Sequence, residues 1–118
     1  MSNKNLSHRV TREGATEPPF SGKYNSFKEK GTYCCVNCHK ELFSSSHKYD
    51  SGTGWPSFYK AINKQAIIEK EDYSHGMTRI EVKCKACDSH LGHLFTDGPK
   101  PYGLRYCINS VALSFRKN

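Results

Sequence analysis

Six cysteines carry the strongest chemical signal in this 118-residue chain. Cys35-Val36-Asn37-Cys38 and Cys84-Lys85-Ala86-Cys87 repeat a C-x-x-C spacing, which lets two thiolates of one tight turn point at a tetrahedral Zn²⁺. Two such knuckles complete a four-thiolate site. The 45 residues between Cys38 and Cys84 exceed the separation in a short zinc ribbon, so the metal would staple segments far apart in the chain. A disulfide framework or a redox C-x-x-C is the alternative. Neither an export signal nor a βαβ pattern accompanies the pairs, and both would be expected in those cases. Cys35 rather than Cys34 gives the two-residue spacing to Cys38. If residues 32–36 form a strand, Cys34 points away from the metal, because successive side chains alternate between faces.

The sixth cysteine, Cys107, lies in a run where Val111, Leu113 and Phe115 share a face, and where counting back by twos adds Asn109, Cys107 and Arg105. A core strand that runs into a polar face bearing a free thiol suits a site. An inert buried thiol is the plain alternative. Three further segments keep it company: Gly52-Thr53-Gly54-Trp55-Pro56-Ser57-Phe58 with the single Trp, His90-Leu91-Gly92-His93-Leu94-Phe95-Thr96-Asp97-Gly98-Pro99, and Arg105-Tyr106-Cys107-Ile108-Asn109-Ser110. With Thr16-Glu17-Pro18-Pro19-Phe20, Tyr49-Asp50-Ser51-Gly52 and Ser74-His75-Gly76-Met77, they closely resemble the B-type methionine sulfoxide reductases. The resemblance runs from about Gly14 to Phe115, with the motifs in the family's order.

That resemblance implies reduction of the R epimer of methionine sulfoxide, in oxidised proteins or as the free amino acid. It also implies two antiparallel β sheets, tent- or sandwich-like, with a structural four-cysteine zinc site opposite the catalytic face. Cys107 would attack the sulfoxide sulfur and become a sulfenic acid. Attack needs thiolate, which positive charge from Arg105 would favour. The sulfoxide oxygen gains negative charge as the sulfur is attacked and needs a proton donor, a role for which the family offers His90 and His93, with His93 preferred and Asn109 hydrogen-bonding nearby. Trp55, and Phe58 in the same segment, would receive the substrate's methyl end. Without the family, the histidines read equally as surface groups or extra metal ligands, and Trp55 as core. Many members carry a second cysteine where this chain has Thr53. Regeneration then falls to Cys34 as a resolving thiol or, as we expect, to thioredoxin or another thiol reductant attacking the sulfenic acid directly.

These residues need elements to hold them. The strand signals are short and lie at residues 32–36, 41–45, 66–70, 78–84 and 105–115, separated by turn clusters such as Asp50–Gly54 and Asp97–Pro99. The clearest is Arg79-Ile80-Glu81-Val82-Lys83-Cys84, which alternates apolar and charged residues and delivers the second knuckle to the interior. The reading is a mainly β single domain over residues 14–118. Before it lies a tail over residues 1–13 with a short helix around 7–13, joined to the domain by an extended arm. Leu, Ile, Val and Phe make up 21 of 118 residues, about 18%, a thin aliphatic supply for a core. Metal and the 14 aromatic residues are the expected supplement. The formal charge of +7 comes from 18 Lys and Arg against 11 Asp and Glu. The two signs interleave, as in Glu69-Lys70-Glu71-Asp72, so no basic stripe forms and nucleic-acid binding is not expected. No apolar run is long enough to span a bilayer. The expectation is a soluble, cytoplasmic monomer.

Overall fold

The computed structural model describes residues 3–118. The chain opens with α1 (Asn3–Glu13) and an irregular arm, then forms β1 (Gly31–Cys35), β2 (Glu41–Ser44), β3 (Lys48–Tyr49), β4 (Ser57–Phe58), β5 (Ile67–Asp72), β6 (Arg79–Cys84), β7 (His90–Phe95), β8 (Arg105–Ile108) and β9 (Leu113–Lys117). These make two antiparallel sheets, one ordered β2-β1-β9 and the other β3-β4-β8-β7-β6-β5. The expected fold class is therefore the one observed. No helix among the described residues is long and apolar enough to cross a membrane.

Aromatic rings fill the space between the sheets. Phe43 of β2 stacks on Phe58 of β4 at 4.5 Å, and Tyr33 of β1 meets Phe58 and Phe115 edge-on at 5.1 Å each. Tyr33, Phe43 and Phe58 are fully buried beside Leu42, Val82, Leu91 and Ile108. A buried aromatic removes roughly 150–250 Å² from water, so a few rings offset the shortage of aliphatic residues. Phe58 thus belongs to this core. Since Ser57 pairs with Cys107, strand alternation turns Phe58 to the opposite face, where it does not contact the expected substrate site.

Three elements depart from the sequence reading. The helix starts at Asn3 and is packed rather than trailing: Val10 is fully buried, Ser7 Oγ donates to the Val111 carbonyl at 2.7 Å, and Arg12 donates to the Cys87 carbonyl at 3.0 Å. Residues 1 and 2 of the expected tail lie outside the described residues. A strand not anticipated, β7, runs through His90-Leu91-Gly92-His93, whose glycine and histidines hide the apolar alternation. The single strand expected over 105–115 is broken by a 3-10 turn at Ser110–Ala112, which sends β8 into the large sheet and β9 into the small one. The turn satisfies buried polar groups. Val111 N–H donates to the Glu17 carboxylate at 3.0 Å, Tyr24 N–H to Ser110 Oγ at 3.1 Å, and Glu17 N–H to Asn109 Oδ1 at 2.9 Å. Asn109 and Ser110 therefore serve the arm, and strand periodicity stops at them.

Candidate active site and metal centre

The two knuckles are built alike. Cys35 N–H donates to the Lys40 carbonyl and Cys84 N–H to the Ser89 carbonyl, while His39 N–H and Asp88 N–H return to Cys35 and Cys84, all four at 2.8 Å. His39 and Asp88 close these turns at φ 66° and 63°, the left-handed region that His and Asp visit more often than most residues. The turns bring Cys35, Cys38, Cys84 and Cys87 together with all four sulfurs within 4.8 Å of one another. Cys35 to Cys87 and Cys38 to Cys84 are each 3.6 Å, close to the ~3.8 Å edge of a tetrahedron with ~2.3 Å Zn–S bonds. The donor set fits a structural Zn²⁺. Cys34 lies outside the cluster, buried between Glu41 and Ser114 in the small sheet.

The second site lies on the large sheet, on the face away from Phe58. Cys107 of β8 pairs with Ser57 of β4 on one side and with His93 of β7 on the other, and His93 pairs in turn with Glu81 of β6. Directly opposed residues share a face with Cβ atoms about 4.5–5.5 Å apart, so thiol and imidazole are neighbours by register. The backbone of β8 leaves no room for a side chain on Gly92 of β7 at this point. A Cβ on Gly92 would collide with the Cys107 carbonyl oxygen and lie 3.0 Å from both Cys107 C and Ile108 Cα, which only glycine avoids.

A cavity of about 90 Å³ opens over the thiol, walled by Trp55, His93, Arg79, Phe95, Thr16 and Asn109. This is room for a small group such as a methylsulfinyl, or for a few waters. Trp55 is anchored by its Nε1–H donating to the Glu17 carbonyl at 3.0 Å. Asn109 borders the cavity, but both ends of its amide are engaged: Oδ1 accepts from Glu17 N–H at 2.9 Å and Nδ2 donates to the Leu91 carbonyl at 3.0 Å. It fastens the arm and β7 to the strand of Cys107.

The two histidines occupy different places. His93 reaches the cavity; its Nε2 bonds Asp72 Oδ2 at 2.7 Å. His90 stands behind it, its ring 5.4 Å from that of His93, with Nδ1 bonded to Glu81 Oε2 at 2.7 Å and Nε2 buried without a partner among the described residues. Burial pushes the His93 pKa below its ordinary value, opposed by the Asp72 bond and assisted by the charges of Arg79 and His90. Arg105 forks onto Asp97, Nε to Oδ1 at 2.8 Å and an Nη to Oδ2 at 3.2 Å, with its guanidinium 4.3 Å from the Phe95 ring centre. Burial pushes the Cys107 thiol up, and the Arg105 charge and a hydrogen bond with Thr53 oppose that rise without reversing it. Arg105 thus favours the thiolate as expected, but not enough to overcome burial. The desolvation of a thiolate outweighs a cation that is already shared with Asp97.

Asp72, Arg79, Glu81, Asp97 and Glu17 complete the surroundings of the site and were not singled out from the sequence. Arg79 and Glu81 left a trace there as charges on the outward face of an alternating strand, and Glu17, Asp72 and Asp97 only as members of longer segments.

A family model described as the SelR domain matches residues 4–117. The chain belongs to this family, the B-type methionine sulfoxide reductases. It is similar to a protein of Acinetobacter baylyi named "Peptide methionine sulfoxide reductase MsrB", at 59% identity over 92% of this chain and 78% of that one. Relatives of the same name from Pseudomonas putida and Pseudomonas fluorescens are 60% and 62% identical, over 92% and 88% of this chain and 82% and 79% of theirs. As a member of this family the chain is an oxidoreductase.

Proposed function

We propose that this protein reduces the R epimer of methionine sulfoxide, within oxidised proteins and as the free amino acid, with Cys107 as nucleophile. The observation that carries the proposal is the register pairing of Cys107 with His93 beneath a small cavity walled by Trp55. The indole offers an apolar surface for the substrate's methyl group, and the imidazole lines the same cavity, where it can meet the sulfoxide oxygen once the sulfur faces the thiol.

Burial favours a protonated resting thiol at Cys107 and a neutral imidazole at His93. His93 takes the thiol proton as Cys107 attacks the sulfur and gives it to the sulfoxide oxygen as the S–O bond weakens. The oxygen passes to Cys107 as a sulfenic acid and methionine departs, so the thiol is oxidised by two electrons and the sulfoxide reduced by two. Thioredoxin or another thiol reductant then returns Cys107 to the thiol, with loss of water and formation of a disulfide in the reductant. Direct attack is favoured because Thr53 stands beside Cys107 where a resolving thiol would serve, while Cys34 lies buried in the other sheet.

The four clustered thiolates hold a structural zinc ion, and the enzyme works as a monomer in the cytoplasm, where its remaining thiols stay reduced. Separated sulfoxide epimers supplied with dithiothreitol test the reading. R-selective turnover that vanishes in Cys107→Ser and survives in Cys34→Ser is the expected result, and turnover of neither epimer by the wild type would refute it.

A further inference from the structure

We propose that Asp72, at the end of β5, is the positioning residue of His93: it fixes the imidazole tautomer and sets the protonation on which the proton transfer above depends. The inference rests on the proposed reductase function and extends it to a residue two strands from the strand that carries His93.

The geometry is that of a three-member relay. Cys107 on β8 faces His93 on β7 through the strand register, and His93 Nε2 meets Asp72 Oδ2 at 2.7 Å from β5. Asp72 is itself held from two sides: Oδ1 accepts the Ser74 N–H at 2.9 Å and Oδ2 accepts an Nη of Arg79 at 3.4 Å. These bonds keep it ionised, and its pKa lies well below the ordinary carboxylate range, chiefly through the His93 bond. An ionised carboxylate can only accept. The neutral imidazole must therefore carry its proton on Nε2, leaving Nδ1 as the bare nitrogen that can take a proton from the Cys107 side. Once Nδ1 is protonated, the ring becomes an imidazolium whose Nε2–H already points at an anion, the arrangement that orients and stabilises a base in Ser-His-Asp sites.

The charged and titratable groups around His93 are Asp72 from β5, Arg79 and Glu81 from β6, His90 from its own strand and Cys107 from β8. Burial, Arg79 and His90 all disfavour the imidazolium; Asp72 favours it directly. Glu81 is committed to His90 Nδ1. Removing the charge at 72 leaves His93 with the groups that push its pKa down.

Asp72→Asn tests this effect, because an amide that keeps Oδ1 for Ser74 N–H turns an Nδ2–H donor toward His93 Nε2 and so removes both the charge and the acceptor. In the wild type, nitrogen-detected NMR of the side chains should show neutral His93 as the Nε2–H tautomer, a result that needs no variant. In Asp72→Asn the His93 pKa should fall by about one unit or more, the scale of losing an opposite charge in contact. The single-turnover rate of sulfoxide reduction at pH 7 should fall at least about tenfold, with the pH–rate limb following the NMR titration and KM little changed. Asp72→Glu should recover part of both. A neutral His93 carrying its proton on Nδ1, or an Asp72→Asn protein whose His93 titration and pH–rate profile match the wild type, overturns the inference. A wild type that turns over neither epimer would instead defeat the proposed function, and the His93 titration would still decide whether Asp72 governs the ring.

Discussion

Gly92→Ala tests whether the close approach of β7 to β8 sets the catalytic geometry. Gly92 does not sit in the left-handed region, so an alanine there meets a steric rather than a conformational obstacle. Its methyl would overlap the Cys107 carbonyl oxygen and lie 3.0 Å from Cys107 C and Ile108 Cα. Comfortable carbon contacts begin at about 3.5–4.0 Å, so the strands must part by roughly 0.5–1 Å from the carbon contacts alone. Every atom in conflict is backbone, so no side chain can turn aside. Over-packing of this kind costs about 1–3 kcal/mol, seen as a fall of several degrees in Tm for a domain of this size. The same displacement separates Cys107 from His93, its register partner. A shift of about 1 Å between reacting groups costs on the order of 10²-fold in rate. Thermal unfolding by circular dichroism and single-turnover reduction of the R-sulfoxide measure the two effects separately. A variant that loses stability yet reduces substrate at the wild-type rate would refute the link between this contact and catalysis; one unchanged in both would refute the close packing itself.

Three other outcomes are expected. Thr53→Cys places a thiol beside Cys107, to which the Thr53 side chain now hydrogen-bonds, so one equivalent of sulfoxide should consume two titratable thiols instead of one; loss of a single thiol would show that the loop does not bring the two within reach. Because burial holds the Cys107 thiol protonated, its alkylation by iodoacetamide should be slow at pH 7 and climb about tenfold per pH unit through the ordinary thiol pKa of ~8.5. A plateau near neutrality would contradict that direction. Cys38→Ser should strip the metal and unfold the chain, since zinc binding at such sites supplies an apparent ~10–16 kcal/mol against a typical net stability of ~5–15 kcal/mol. Metal analysis and circular dichroism decide it, and an equally stable, metal-free variant would end the staple idea.

The sequence made legible whatever depends on local spacing. The knuckles follow from two residues between cysteines, the inward face of β6 from Ile80, Val82 and Cys84, and the aromatic contribution to the core from composition. It concealed what depends on register. Phe58 reads as a partner of Trp55 until Ser57 is known to oppose Cys107, after which alternation sends Phe58 into the core. His93 and Asp72 are 21 residues apart and meet only because β5, β6 and β7 lie side by side. The strand expected over 105–115 failed at Asn109 and Ser110 for a related reason. Their side chains bond Glu17 and Tyr24 of the N-terminal arm, and no local pattern announces a partner some ninety residues away.

Besides the short turn from β2 to β3, two ties join the sheets, and the strand of Cys107 sits at one of them. Chain continuity from β8 through the Ser110–Ala112 turn to β9 makes the first, with Glu17 bridging it: its carboxylate takes Val111 N–H, its N–H binds Asn109, and its carbonyl holds Trp55. The cysteine cluster makes the second, joining the end of β1 in the small sheet to the end of β6 in the large one. A core poor in aliphatic residues would let two such sheets slide on their rings, since aromatic contacts tolerate several offset geometries. Fixing the sheets at two separate points removes that freedom. The position of Cys107 relative to Trp55 and His93 then depends on both ties, although none of the four clustered cysteines lines the cavity. A weakened metal site should therefore loosen catalysis before it unfolds the chain, and the four clustered cysteines are coupled to Cys107 through the rigidity of the sheets.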